Sequence, residues 1–349
     1  MYRSKTLSAI IRGAVAALAA GAAASAHAQL ESPNVKVMLD WTVQGTHAPF
    51  FVAEKKGYFK QEGLNVQIDR GTGAGNTANA VASGAYDIGY IDAAVVVKHT
   101  ALNPTKPLQS YYVAFDVTPI SFVSLKGKAN IRTPQDLDGK RVAAPPNSAN
   151  VVTLPILLKA AGAENVKVNW QFVAPQLMAP MLMRGDADAI GGFINSQVPA
   201  VLEMGPKMDD LTVLRYSDFG VDMYSLTLAS RKEWVDANPK TIAAFVRAFN
   251  KGYRDVIADP AYGIQVMKER DPLFNAQLEA IRLDLALSVT VTPNVIANGM
   301  SSVTPARMQK TIDTVVTSEN LPAKPNMADV WTDKFLPPKA DRMVSPPKK

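Results

Sequence analysis

The chain has 349 residues, 47% of them hydrophobic and 19% charged, with no cysteine and three histidines. That length suits about two domains with ample core, and the composition argues against a disordered or fibrous chain. Without cysteine there can be no disulfide, thiolate metal site, cysteine nucleophile or lipidated N-terminal cysteine. The formal charge of +6 is uneven: Arg3, Lys5 and Arg12 stand in residues 1–28, which hold no acid. Taking those three from 37 bases leaves 34 against 31 acids, a balance of +3 with no basic stripe for a nucleic acid.

The chain opens on a positive start, an apolar run from Gly13 to Ala24, and Ala26-His27-Ala28. This order predicts a cleaved export signal over 1–28, a mature start at Gln29 and a periplasmic location. The apolar run, about 12 residues, falls short of the roughly 20 that span a bilayer. Val35 to Leu39 then reads as a buried strand ending in the polar stretch Asp40 to His47. Apolar spacing from Pro49 to Lys60 predicts a helix closed near Gly57, and Leu64 to Ile68 alternates as a second strand. A glycine-rich turn, Gly71 to Thr77, leads into a short helix from Ala78 to Ser83, followed by a strand over Asp87 to Tyr90. Such alternation builds a parallel sheet covered by helices.

The pattern restarts at Gly139 to Ala144, with a loop from Pro145 to Ala149, a helix over about 151–161 and a strand at Val166-Lys167-Val168. Ser83-Gly84-Ala85-Tyr86-Asp87 and Arg184-Gly185-Asp186-Ala187-Asp188 each join a helix to an apolar strand. This short echo supports two similar α/β lobes. Pro239 to Ile257 is strongly amphipathic, and further helical segments run through Asp313. The end, residues 337–349, is proline- and lysine-rich and is expected to be poorly ordered.

Ligands of open parallel sheets bind beyond the carboxyl ends of the strands, so those turns supply the candidate site. Gly73, Gly75, Asn76 and Thr77 stand between a strand and a helix, where free backbone N–H groups can hold a polar or anionic atom. Asn76 breaks the G-x-G-x-x-G dinucleotide pattern, and the turn lacks the P-loop lysine. Asn147 and Ser148 occupy the equivalent turn of the second lobe, though helix capping alone also accounts for them. Trp41 and His47 follow the first strand, Tyr90 and Asp92 the third, and Phe193 and Asn195 the strand Ala189-Ile190. Asp222 and Tyr224 lie in a later aromatic and acidic turn. Beyond residue 28 only His47 and His99 remain, without metal-ligand spacing, and no G-x-S-x-G occurs. No cofactor, metal or catalytic set is read from the chain. Asp186 and Asp188 are read as solvated or capping acids, and Met178, Met181 and Met183 as core filler.

Leu39-Asp40-Trp41-Thr42, Ala48-Pro49-Phe50-Phe51-Val52-Ala53-Glu54-Lys55-Lys56-Gly57-Tyr58-Phe59-Lys60-Gln61-Glu62-Gly63-Leu64, Val81 to Gly89 and Leu137 to Val142 resemble the solute-binding proteins of ABC importers. The resemblance lies with the branch that contains nitrate, taurine, alkanesulfonate and thiamine-pyrimidine-precursor binders. It implies an α/β fold of type II, two lobes crossed twice by the chain, near Pro119 to Phe122 and Tyr224 to Leu228. Lobe I would comprise 29–120 plus 225–336, and lobe II 121–224. It further implies a monomer that closes on a small flat polar ligand and delivers it to a membrane permease and its ATPase. Trp41 would stack on the ligand, the two turns would hold polar atoms, and Asn195 and Asp222 would read ring edges. The stretch Val43 to Pro49 departs from the asparagine-rich pattern of the pyrimidine-precursor binders, so a sulfonate, nitrate or aromatic carboxylate stays open as ligand. Cytosolic relatives that make the thiamine pyrimidine supply the enzyme alternative, against which the export signal argues.

Overall fold

The computed structural model describes residues 29–346, so the predicted signal segment lies outside the described residues. In chain order the first half runs β1 (Asn34–Met38), a 3-10 turn (Gly45–His47), α1 (Ala48–Lys55), α2 (Tyr58–Gln61), β2 (Asn65–Asp69), α3 (Ala74–Ala82), β3 (Ile88–Asp92), α4 (Ala93–Leu102) and β4 (Leu108–Val113). It continues with β5 (Ile120–Leu125), β6 (Arg141–Ala144), α5 (Ala149–Ala160), β7 (Asn169–Phe172), α6 (Pro175–Arg184), β8 (Ala189–Phe193), α7 (Ile194–Leu202) and β9 (Leu211–Arg215). Then come β10 (Leu226–Arg231), α8 (Lys232–Ala237), α9 (Pro239–Ala258), α10 (Pro260–Arg270), α11 (Ala276–Thr290), α12 (Pro293–Asn298), α13 (Pro305–Ser318), α14 (Met327–Val330) and α15 (Lys339–Arg342).

The strands form two five-stranded sheets of matching plan, β2-β1-β3-β10-β4 and β7-β6-β8-β5-β9. In each, three strands are parallel, and the strand that arrives from the other lobe (β10 or β5) runs antiparallel to both neighbours. The chain therefore passes between lobes twice, between β4 and β5 and again between β9 and β10. This is the two-lobed arrangement that the resemblance implies.

Packing explains the long C-terminal helix. Proline at its first position costs α9 no hydrogen bond, and Ile242, Phe245, Val246 and Phe249 are fully buried along one stripe. Phe249 meets Phe50 of α1 at 4.4 Å between ring centres, and Phe245 stacks on Phe59 at 5.1 Å. Gly252 lets the two helices approach, since a Cβ there would stand 2.4 Å from the Pro49 carbonyl oxygen.

Four sequence expectations need correction. The helix over Pro49 to Lys60 is broken into α1 and α2, because Gly57 takes a left-handed conformation at φ 71°. The helix after the glycine turn begins at Ala74 rather than Ala78, which places Gly75, Asn76 and Thr77 inside its first turn. The strand expected at Val166 to Val168 forms at Asn169–Phe172, where its pairing with β6 starts at Arg141 opposite Asn169. Residues 337–346, expected to be poorly ordered, pack on lobe I. Arg342 accepts from Met300 N–H at 2.8 Å and donates to the Met300 and Pro337 carbonyls, while Asp341 O accepts from Asn250 at 2.9 Å. Asp186, exposed, pairs with Arg184, whereas Asp188, read as a solvated or capping acid, is half-buried and held by the Arg141 guanidinium and N–H.

Candidate functional site

A narrow cavity lies between the lobes, lined by Asp40, Trp41 and Ala74 from one and by Ser148, Ala149, Asn150, Gly192, Phe193, Ser196 and Gln197 from the other. Every lining segment follows the carboxyl end of a parallel strand: Asp40 follows β1, Ala74 β2, Ser148 β6, and Phe193 ends β8. The N-termini of α3, α5 and α7 therefore converge on one space, bringing three positive helix ends together.

Asp40 is the only charged residue in that lining. It is held by His47, whose Nε2 stands 3.0 Å from Asp40 Oδ1. His47 Nδ1 accepts from the Gln44 N–H at 3.0 Å, so the ring proton sits on Nε2 and is donated to the carboxylate. The half-buried Trp41 lines the cavity and packs against the second lobe's core. Opposite, the Ser148 hydroxyl lies within 2.8 Å of the Pro145 carbonyl oxygen and 2.9 Å of Asn150 Oδ1. Asn150 Nδ2 is left buried with no hydrogen-bond partner, a donor beside the cavity. An unmet buried donor of this kind costs about 1–3 kcal/mol until a partner arrives.

Of the residues picked out from sequence, Trp41, Ser148 and Phe193 line the cavity. Gly73 caps α3 just before Ala74, which lines the space, but is itself outside the lining. The others are placed differently. His47 stands behind Asp40 and orients it. Gly75 gives its N–H to Asn147 O of the other lobe at 3.1 Å, so this contact joins the lobes and is not a free anion donor. Thr77 Oγ1 donates to Leu39 O at 2.8 Å, and Asn76 Nδ2 to Thr72 at 3.0 Å, both within lobe I. Tyr90 is buried edge-on against Phe50, 5.2 Å away. Asp92 caps α4 through Ala94 N–H and accepts from the Ser225 hydroxyl at 2.6 Å. Burial is the main reason its carboxyl is pushed up to about 6. The side chain of Asn195 is buried outside the cavity lining.

Asp222 and Tyr224 depart furthest from expectation. Both stand where the chain returns to lobe I, on the guanidinium of Arg307 in α13. Arg307 Nε donates to Asp222 at 2.9 Å and the group lies 4.2 Å over the Tyr224 ring. The same guanidinium reaches Asp116 in the first crossing, at 3.0 Å to its carboxylate and 2.6 Å to its carbonyl oxygen. One arginine thus fastens both crossings. The residues that sequence reasoning left out of the site are Asp40, Ala74, Ala149, Asn150, Gly192, Ser196 and Gln197. A helical register begun at Ile194 puts Ser196 and Gln197 in the first turn of α7, which was the available signal.

A family model described as NMT1/THI5 like matches residues 44–262. The chain belongs to this family. It is 30% identical over 268 residues to the formylaminopyrimidine-binding protein of Halalkalibacterium halodurans, covering 75% of this chain and 79% of that protein. It is 24% identical over 265 residues to the 4-amino-5-hydroxymethyl-2-methylpyrimidine phosphate synthase of Uromyces fabae, covering 73% and 76%. In fold it is similar to the alkanesulfonate-binding protein SsuA of Xanthomonas axonopodis pv. citri, with a TM-score of 0.66, 16% identity and coverage of 87% and 99%. This NMT1/THI5-like chain therefore carries the periplasmic binding protein fold.

Proposed function

We propose that this NMT1/THI5-like protein is the exported binding component of an ABC importer and takes a neutral, flat aminopyrimidine of the thiamine-precursor type between its lobes. The observation that carries the reading is the charge of the cavity lining: one carboxylate, Asp40, and no lysine or arginine. A sulfonate, nitrate or carboxylate placed there would be repelled by Asp40 at short range, by about 4 kcal/mol at 4 Å near a protein surface. A ring amino group suits Asp40 instead. Ring nitrogens accept hydrogen bonds and suit the Asn150 amide and the converging helix N-termini. Trp41 supplies the plane on which the ring stacks. The similarity to a formylaminopyrimidine-binding protein supports this choice of ligand class, and the predicted export signal supports a periplasmic site of capture before delivery to a permease.

Titration calorimetry of the mature chain with formylaminopyrimidine, nitrate and an alkanesulfonate tests the reading. Formylaminopyrimidine is expected to bind and the two anions not to. Trp41→Ala is expected to weaken binding by about 1–3 kcal/mol, roughly tenfold to hundredfold in Kd. Tight binding of either anion, or an unchanged affinity in the Trp41 variant, refutes it.

A further inference from the structure

The side chains that bridge the lobes outside the cavity form a connected set. Arg282, on α11 of lobe I, is buried and donates from Nη1 to the Ser196 carbonyl oxygen in the first turn of α7, at 2.6 Å. Its Nε donates to Glu279 Oε1 at 2.9 Å. The second Glu279 oxygen accepts the Gly45 N–H at 2.7 Å. Next in the chain, Gln44 Oε1 accepts from the Ser196 hydroxyl at 2.7 Å, and Gln44 N–H is the group that fixes His47 and so Asp40. Gly45 permits the contact, because a Cβ there would meet the Glu279 carbonyl oxygen at 2.4 Å.

We infer that Arg282 is a positioning residue for lobe closure, a latch that fastens α11 to the first turn of α7 and holds the Ser196 wall of the cavity without contacting the ligand. Three physical points support it. The bond to Ser196 exists only while the lobes are together, so its energy belongs to the closed arrangement alone. It is charge-assisted and shielded from water, which makes it about twice as strong as a neutral bond. Its partner is a backbone carbonyl, so substitutions at Ser196 do not replace it, and the guanidinium alone supplies the fork that serves Glu279 and Ser196 at once. Glu279 supplies the countercharge that a buried guanidinium requires. Closure and ligand affinity are then linked, because a ligand that needs the closed form binds in proportion to the closed fraction. This deepens the binding reading above, yet it can be tested without any ligand.

The absence of native cysteine allows one dye in each lobe, at Lys60→Cys and Glu164→Cys, both exposed positions. Single-molecule energy transfer on the ligand-free mature chain reports the ratio of closed to open molecules. Arg282→Lys keeps a charge for Glu279 but cannot span both partners. The pair Glu279→Gln with Arg282→Met removes both charges together and avoids a buried unpaired carboxylate, which keeps the test open if a single change fails to fold. Each is expected to lower the closed-to-open ratio by roughly tenfold. Each is also expected to speed the release of formylaminopyrimidine where that compound binds. Unchanged ratios in the folded variants, or a wild-type chain wholly open without ligand, overturn the latch. Failure of formylaminopyrimidine to bind the wild type instead overturns the ligand assignment and leaves the energy-transfer result standing.

Discussion

Arg282, which is buried, and Arg307, which is half-buried, each join a carboxylate to a backbone carbonyl, yet they connect different parts of the molecule. Arg307 holds Asp116, Asp222 and Tyr224, which all belong to the two segments where the chain changes lobe. Those contacts stay on the pivot and can survive a rotation of one lobe against the other. Arg282 reaches from α11 to α7, across the gap. The same chemistry therefore sets where the molecule bends in one case and how long it stays shut in the other. The lesson is that a buried ion pair is read by asking which rigid bodies it connects.

Breaking the pivot should cost stability. Arg307→Met leaves the buried Asp116 carboxylate without its cation, and removing one partner of such a pair costs about 3–5 kcal/mol. The melting temperature is expected to drop by several degrees with and without ligand, as calorimetry would read. Equal melting curves would show that the pivot does not need Arg307. Asp92 gives the next effect, since it ties β3 to Ser225 in the return crossing. Burial pushes its folded carboxyl up to about 6 from an ordinary value of 3.8. Folding thus favours the protonated form, so the stability linked to Asp92 is full below about pH 4 and is lost as pH rises to about 6. At 1.36 kcal/mol per pH unit the loss is about 3 kcal/mol. Asp92→Asn is expected to flatten that decline in denaturant midpoints measured between pH 4 and 7, and an unaltered slope would refute it.

The smallest effect belongs to the cleft. Gly75→Ala would place a Cβ 2.5 Å from the Asn147 carbonyl oxygen across the lobes, so closure must give way by a fraction of an ångström. Ligand affinity is expected to fall severalfold while the melting temperature of the ligand-free chain stays within a degree. A matching fall in stability would place Gly75 with the pivot rather than the cleft.

Much of the fold was legible because its signals are local. Val35 and Val37 alternate with Asn34 and Lys36, and Ile242, Phe245 and Phe249 recur at helical spacing, so the strand and the helix follow from side-chain period alone. Trp41, Ser148 and Phe193 were found because strand ends in parallel sheets point to the ligand side. Asp222 and Tyr224 were misplaced for the opposite reason. Their polar and aromatic character marks an interaction but not its partner, and the partner, Arg307, stands more than 80 residues away. The glycine turn misled in the same way, since its N–H at Gly75 is satisfied by Asn147 of the other lobe.

The family resemblance placed the two crossings, while the sequence by itself determined the two α/β lobes and the aromatic residue at the first strand end. Each rests on periodicity or turn chemistry within a few residues. Only the tertiary structure decided that Asp40 is the cavity's sole charge, that His47 serves it from behind, and which arginine belongs to the pivot and which to the cleft. A polar side chain can satisfy itself with many partners, and the packing of distant elements selects among them.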